Sequence, residues 1–188
     1  MSTGDNAKSI LTRDQILEAL QALSDELGSR GITGEICLFG GTAMVLAFTA
    51  RLATRDVDAI FQPAGPVREI ARSIAVRQNL PIDWLNDAVK GFVSSRHETT
   101  EWGLPQYPNL RVIMPVPEYL LAMKCIAARI GGTGDEPSDI ADLRVLIDHL
   151  RFRSAAEVLD LVARYYPPNQ IPPRTQYLIE SLFEEGRL

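Results

Sequence analysis

The spacing of hydrophobic and polar residues divides the chain into a first half of mixed helices and strands and a second half of helices. Thr12 and Gln15 have the spacing of an N-terminal capping box, and apolar residues follow it at helical intervals. Short apolar runs bounded by glycine or proline indicate buried strands. The pattern predicts helices over 13–28, 42–50, 67–79, 118–130, 139–150, 155–165 and 174–184, and strands over 35–39, 55–61, 80–85 and 110–115.

These elements predict an α/β fold over about 1–115, followed by a helical part over 116–188. Residues 1–10 are polar and predicted to be loose, and 86–110 show no pattern that orders them. We expect the two parts to form one unit with a cleft between them.

Composition and charge narrow the class of protein. The 188 residues are 46% hydrophobic and 23% charged, which is typical of a soluble globular chain. The net charge of -5 argues against a basic nucleic-acid-binding domain, although a local basic groove stays possible. No apolar run approaches the roughly 20 residues of a membrane span, and the first fifteen residues lack the charged-then-apolar layout of a signal peptide. With two cysteines and neither a disulfide framework nor a zinc site, we expect a cytoplasmic protein without a membrane partner.

The segment from Gly40 to Asp58 carries the strongest indication of chemistry. Gly40 and Gly41 follow a predicted strand, so backbone N–H groups can approach an anion, and a helix beginning at Thr42 directs its positive end to the same place. Asp56 and Asp58 project from one face of the next strand, about 7 Å apart at Cα. Two carboxylates there are costly without a cation, and Mg²⁺ suits an oxygen site that also holds phosphates. The pattern predicts a phosphate cradle beside a magnesium-binding pair.

Each part of this pattern also has an ordinary interpretation. A Gly-Gly pair after a strand is often only a turn, and Asp-x-Asp is common on solvated edge strands. The order strand, Gly-Gly, helix, strand, Asp-x-Asp is what favours a functional site and suits nucleotidyl transfer.

The segment LFGGTAMVLAFTARLATRDVDAIF resembles the signature of the polymerase-β-like nucleotidyltransferases: a strand, Gly-Gly or Gly-Ser, a spacer, then Asp-x-Asp or Asp-x-Glu. Within that superfamily the chain is most similar to the AbiEii/MenT group of bacterial toxin–antitoxin systems. That likeness depends on the spacing of Arg51, Thr54, Asp56 and Asp58, and on PEYLLAMKCIAAR followed by SDIADL. The resemblance covers about 35–150.

The resemblance implies a fold and a set of residue roles. The fold is a small mixed β-sheet nucleotidyltransferase core flanked by helices, with the helical C-terminal part completing the active-site cleft. Asp56, Asp58, Lys124 and Asp139 are the implied catalytic residues, with Mg²⁺ on Asp56 and Asp58. The implied nucleotide-binding residues are Gly40, Gly41, Thr42, Arg51, Thr54 and Lys124. In related toxins an antitoxin phosphorylates a Ser or Thr near Thr54, which makes Thr54 a hypothetical regulatory site.

The second motif has alternatives of its own. On the predicted helix over 118–130, Lys124 falls inside an apolar arc, so that its ammonium either reaches water past a buried stem or points into a cleft toward phosphate. Asp139 falls inside the apolar arc of the next helix, and a favourable charge at a helix N-terminus explains it only in part. By resemblance it orients Lys124. Asp142 lies at the border of that arc and is interpreted as an ordinary residue.

Many members of the superfamily have a third carboxylate on a later strand, and Asp83 is the best-placed candidate, with Asp87 behind it. His97 and His149 have no acidic or cysteine partners at ligand spacing, and we interpret both as surface or packing residues. The aromatic pair Tyr165-Tyr166 is interpreted as packing rather than as a base-stacking platform.

The sequence therefore predicts a magnesium-dependent enzyme that transfers a nucleoside monophosphate from an NTP to an acceptor and releases pyrophosphate. By resemblance the acceptor is the 3′ end of tRNA, the protein is a growth-inhibiting toxin, and a cognate antitoxin is its partner. One alternative is an enzyme that modifies an antibiotic or AMPylates a protein. An alternative of another class is a non-catalytic binding or antitoxin module on the same fold.

Overall fold

The computed structural model describes residues 10–89, 93, 98–128 and 136–184, with the side chains of the helix at 136–149 described from Asp139 onward. The chain divides into two compact units. The first comprises Met1–Val89 and Glu101–Met114, and the second comprises Lys90–Thr100 and Pro115–Leu188. The predictions for 1–9, for His97 and for the end of the helix over 118–130 lie outside the described residues.

The described residues contain seven α-helices and seven strands. In chain order they are β1 (Leu11–Thr12), α1 (Arg13–Ser29), β2 (Gly34–Leu38), α2 (Gly40–Leu46), β3 (Ala53–Thr54), β4 (Val57–Gln62), α3 (Ala64–Gln78), β5 (Leu85–Asn86), β6 (Thr99–Thr100), β7 (Leu110–Pro115), α4 (Pro117–Ala127), α5 (Glu136–His149), α6 (Ala155–Tyr165) and α7 (Pro173–Glu184). The predicted α/β class is confirmed.

The sheet of the first unit is mixed. At its centre β2 pairs antiparallel with β4 and parallel with β7, and β4 pairs parallel with β5. In these registers Cys37 lies opposite Ile60, and Asp58 lies opposite Asn86. The strands β1 and β3 form a separate antiparallel pair. The mixed sheet therefore agrees with the fold class predicted from the sequence.

Alternation along the strands separates the core from the face that carries the candidate site. On β4, Val57, Ala59 and Phe61 are buried in the hydrophobic core. That core also contains apolar side chains of β2, α1 and α3. Because successive side chains point to opposite faces, Asp58 and Ile60 lie on the other face and are only partly buried. The core therefore fixes β4 and leaves Asp58 accessible.

The elements around the candidate site differ from their predicted bounds. The helix predicted over 42–50 begins at Gly40 and ends at Leu46. Beyond it the Ala50 N–H donates to the Met44 carbonyl, and Thr49 has a positive φ of 52°, so the chain leaves the helix in a tight loop. The strand predicted over 55–61 is β4, which begins at Val57. Asp56 consequently lies in the connection before β4, and Thr54 belongs to β3.

Elsewhere the agreement varies with the strength of the local signals. The capping box at Thr12 is present, and β7 and α6 have their predicted bounds. The helix predicted from 67 begins at Ala64, because proline is tolerated in the first turn. The strand predicted over 80–85 is reduced to β5, because Ile82 and Asp83 lie in a turn.

The described part of the second unit is mainly helical. Apolar residues of α4, α5, α6 and α7 are buried within it, and the Thr175 hydroxyl of α7 donates to the Cys125 carbonyl of α4 (3.2 Å). Tyr119 packs against both Tyr165 and Tyr166, with ring centroids 4.9 and 6.5 Å apart. The packing interpretation of that aromatic pair is therefore confirmed. In the described part of the chain, no helix has both the length and the apolar composition needed to cross a membrane.

Candidate active site

The turn at Gly40 and Gly41, called the glycine turn below, brings the end of β2 against Asp58 of β4. Gly40 has a φ of +56°, a backbone conformation that L side chains rarely adopt. The N–H of the preceding Phe39 donates to the Asp58 carbonyl over 2.9 Å, which fixes the turn against β4. A Cβ atom at Gly40 would lie 3.2 Å from Asp58 Oδ2. The predicted glycine turn and one of the predicted aspartates are therefore in contact.

The second glycine is in contact with two other predicted nucleotide-binding residues. A Cβ atom at Gly41 would lie 2.5 Å from Thr54 Oγ1 and 3.5 Å from Arg51 Nη1. Thr54 is only 8% exposed. Phosphorylation at its hydroxyl would therefore need Gly41 and Thr54 to separate first. Residue 41 must be glycine for this close approach.

Thr42 has a structural contact that the sequence did not indicate. Its side chain is fully buried, and its hydroxyl donates to the carbonyl of Asp56 over 3.1 Å. This hydrogen bond ties α2 to the connection that carries Asp56. The hydroxyl of Thr42 is thus directed to the protein backbone, and its predicted part in nucleotide binding stays a prediction.

Asp56 and Asp58 are electrostatically coupled. Burial raises the pKa of the Asp56 carboxyl above its ordinary value, and the Asp58 charge raises it further. A side-chain hydrogen bond from Asn86 works in the opposite direction, and its Nδ2 lies 3.1 Å from Asp56 Oδ2. The two carboxylates therefore share one site although Asp56 precedes the strand.

This pair suits a magnesium ion. In the part of the chain that the structure describes, no group of three or more His, Cys, Asp or Glu side chains converges as a metal site. Mg²⁺ bound together with a nucleotide needs only one or two protein carboxylates, because phosphates and water supply the remaining oxygens. The repulsion that raises the pKa of Asp56 is also what a divalent cation would relieve. The donor set fits Mg²⁺.

Asp83, the candidate for a third carboxylate, does not lie on a strand as predicted. Asp83 is exposed in the turn before β5 and not on a strand, although its charge contributes to the raised pKa of Asp56. Asp87 forms an ion pair with Arg68. The residue opposite Asp58 on β5 is Asn86. Asn86 was not predicted, because only the β4–β5 register shows that it reaches Asp56.

Lys124 and Asp139 belong to the second unit. Lys124 is almost fully buried on α4, so the alternative of an ammonium reaching water does not apply. Its Nζ lies 2.5 Å from Asp142 Oδ2 and 4.0 Å from Asp139 Oδ1. Asp142 is 1% exposed, so interpreting it as an ordinary residue was wrong. The deduced apolar arc of α5 is buried at Leu143, Leu146 and Ile147, and Asp142 at its border is buried with them because it pairs with Lys124. The catalytic roles of Lys124 and Asp139 stay predictions.

Among the described residues, His149, Cys37 and Cys125 also carry side chains that can act in catalysis. His149 is exposed near the end of α5. Burial raises the pKa of both cysteine thiols, Cys37 and Cys125, to about 12. Neither thiol is therefore a nucleophile at neutral pH, because the thiolate is the reactive form.

Comparison with known proteins adds one structural similarity. The chain matches no protein-family model and no curated protein sequence. It is similar to the crystal structure of an antigenic nucleotidyltransferase-like protein from Paracoccidioides brasiliensis, with a TM-score of 0.42 and 15% sequence identity, over 91% of this chain and 94% of that chain. None of these comparisons links the chain to the AbiEii/MenT group, so membership of that group stays a prediction.

Proposed function

We propose that the chain is a magnesium-dependent nucleotidyltransferase whose centre is formed by Gly40, Gly41, Asp56 and Asp58. The observation that supports it best is the contact of the glycine turn with Asp58, with 3.2 Å between a Cβ position at Gly40 and Asp58 Oδ2. Glycine lets the backbone come close to a carboxylate that suits a cation, and backbone N–H groups in such a turn can bind phosphate oxygens. If the glycines served only to turn the chain, Gly40 would not need to lie against the partly buried carboxylate of Asp58.

The reaction we propose is attack by an acceptor hydroxyl oxygen on the α-phosphorus of an NTP. The bond from the α-phosphorus to the bridging oxygen breaks, pyrophosphate leaves, and the hydroxyl proton passes to solvent. Bound Mg²⁺ would neutralise the charge of the phosphates. Asp56 and Asp58 would hold the ion, Asn86 keeps Asp56 oriented through its 3.1 Å hydrogen bond, and the remaining catalysis is positioning.

The proposal also includes the acceptor and the biological role of the enzyme. By its resemblance to the AbiEii/MenT group, we propose the 3′ end of tRNA as acceptor, growth inhibition as the outcome and a cognate antitoxin as the regulator. Arg51, whose guanidinium approaches Gly41, supports binding of a phosphate-rich substrate, because arginine is suited to phosphate oxygens.

Label transfer tests the proposal. The full chain is incubated with Mg²⁺ and NTPs labelled at the α-phosphate, together with total tRNA, an aminoglycoside or a mixture of proteins. We expect label in tRNA with the wild type and none with Asp58→Ala, and we expect induced expression to arrest growth only for the wild type. Label in the drug or in a protein would move the proposal to another acceptor. If no acceptor receives label, the proposed transferase activity is refuted and the alternative of a non-catalytic binding module is favoured.

A further inference from the structure

Two aromatic side chains lie together at the end of α2 that is remote from the glycine turn. The rings of Phe48 and Trp102 have centroids 5.6 Å apart and planes inclined at 60°. Trp102 is 51% exposed, which is unusual for a tryptophan because of its large apolar surface. The next turn of the loop carries Leu52, which is also exposed. The core of the first unit does not account for this surface.

Both segments that carry the rings are held by the backbone. The Ala50 N–H donates to Met44 O and the Ala47 N–H donates to Ala43 O, each over 3.0 Å. Gly103, with a φ of +70°, lies so close to Ala47 that an added Cβ would be 3.2 Å from its Cα and O atoms. The aromatic pair is therefore presented by a fixed junction of two loops and not by a loose tail.

The turn that carries Trp102 is also anchored to the sheet. Its Leu104 N–H donates to Glu101 O over 3.2 Å, and the Glu101 carboxylate accepts from Arg111 Nε of β7 over 2.8 Å. Arg111 in turn pairs with Glu35 of β2. A preorganised aromatic surface loses little entropy when a flat ligand stacks on it.

The geometry connects this surface with the candidate active site. The helix α2 has seven residues and is about 10 Å long, with Gly40 at its start and Ala47 directly after its end. Arg51, from the loop after Phe48, reaches back until its Nη1 lies 3.5 Å from the Cβ position of Gly41. The aromatic pair and the glycine turn therefore lie at opposite ends of α2, a separation similar to the reach from a nucleotide's phosphates to its base, and Arg51 approaches the glycine turn.

We propose that Phe48 and Trp102 form a stacking subsite for a nucleobase, with Arg51 at the glycine turn. The proposal rests on the proposed nucleotidyltransferase function and adds the place where a base is held. Bases stack on aromatic rings with little sequence preference, and arginine beside them contacts the phosphate. The base belongs either to the NTP or to the end of a single-stranded acceptor, and these two sources share the same chemistry.

Fluorescence of Trp102 tests the subsite in the wild-type full chain. The probes are the four nucleoside triphosphate analogues with a methylene bridge between the α- and β-phosphorus, a short single-stranded RNA, and inorganic triphosphate, each with Mg²⁺. We expect quenching by the nucleotide analogues if the NTP base stacks there, and by the RNA alone if the acceptor base does. Quenching by inorganic triphosphate to the same extent, or by no probe, would overturn the proposal.

Variants make the signal specific to this residue. Trp102→Phe leaves the buried Trp84 as the only tryptophan, so we expect quenching to disappear while affinity, measured calorimetrically, stays within about threefold. Trp102→Ala should weaken the same affinity by about 5- to 150-fold. Tyr177→Ala, which removes an exposed aromatic ring of the second unit, is the matched control and should change nothing. Unchanged affinity in Trp102→Ala would overturn the subsite.

The two proposals fail separately. If no acceptor receives label but Trp102 is still quenched by nucleobases, the transferase function falls and the stacking subsite stands. If label is transferred and Trp102→Ala transfers it with unchanged KM for both substrates, the subsite falls and the transferase function stands.

Discussion

The two glycines after β2 are required for different reasons. Gly40 needs its hydrogen side chain because its φ is +56°, and Gly41 needs it because the Thr54 hydroxyl occupies the space of a Cβ atom. The glycine turn and the aspartate pair could be predicted from the sequence, because the residue types Gly-Gly and Asp-x-Asp indicate them directly. The contact with Thr54 could not, because it depends on β3 folding back against α2. The same limit applies to Asn86, whose role follows from strand register alone.

Substitution of Gly41 should reveal its contact with Thr54. Gly41→Ala places a methyl group 2.5 Å from Thr54 Oγ1, and we expect it to reduce the free energy of unfolding by about 1–3 kcal/mol. Thr54→Ala removes that oxygen, so Gly41→Ala should cost less in the Thr54→Ala background, by about 0.5 kcal/mol or more. Denaturant unfolding of the four proteins measures the coupling. Strict additivity would contradict the contact.

Asn86 offers a test of the cation. Asn86→Asp places a third carboxylate beside Asp56 and opposite Asp58, so repulsion should lower the melting temperature in a chelator. Because Mg²⁺ relieves that repulsion, its addition should raise the melting temperature of this variant more than that of the wild type. Asn86→Ala, which loses the hydrogen bond but adds no charge, is the control and should show no extra response. Equal Mg²⁺ effects in both variants would argue against a metal at this pair.

Among the elements, predictions agree best where the sequence carries its own start and stop signals. Helix α6 has its predicted bounds because Ser154 and Glu157 form a capping box before an amphipathic run. Helix α2 does not, because its apolar run has no polar face to mark where it ends. That end is set by the Ala50 hydrogen bond to Met44 and by the close packing of Gly103 on Ala47, which join segments distant in sequence.

The hydrogen bond from Thr42 to Asp56 should link the stability of α2 to the site. Thr42→Val keeps the shape of the side chain and removes the donor, so we expect a loss of about 1 kcal/mol in unfolding free energy. Label transfer should fall as well, because Asp56 loses the contact that positions its backbone. Thr33→Val, at an exposed threonine, is the matched control. A variant as stable and active as the wild type would show that this bond positions nothing.

The contact between α4 and α5 contains a buried ion pair. Lys124→Met removes the cation that lies 2.5 Å from Asp142 Oδ2, and we expect it to cost about 3–5 kcal/mol in unfolding free energy. Lys124→Met combined with Asp142→Leu should recover most of that loss, since the pair is then replaced by apolar groups. If the double variant is stable and still transfers label, the predicted catalytic role of Lys124 is wrong. If the single variant is as stable as the wild type, the ion pair does not stabilise the fold.

For the whole molecule, the net charge does not decide the proposed function. The value of -5 argues against a nucleic-acid partner, yet it includes Asp56 and Asp58, which would be neutralised by a bound cation. Local geometry is more informative: in the first unit Arg51 lies against the glycine turn, and Phe48 and Trp102 lie at the other end of α2. The grouping of 98–100 with the helices that follow 115 could not be predicted, because it joins segments that are separated in sequence.

Calorimetric titration with a methylene-bridged NTP analogue tests the central claim independently of the acceptor. We expect the wild type to bind the analogue in Mg²⁺ and to lose that binding in a chelator. Asp56→Asn and Asp58→Asn should each weaken it by about tenfold or more, because each removes a charged ligand of the ion. Asp160→Asn, which removes an exposed charge from α6, should bind like the wild type. Binding that needs no Mg²⁺, or that is unchanged in both site variants, would contradict the account.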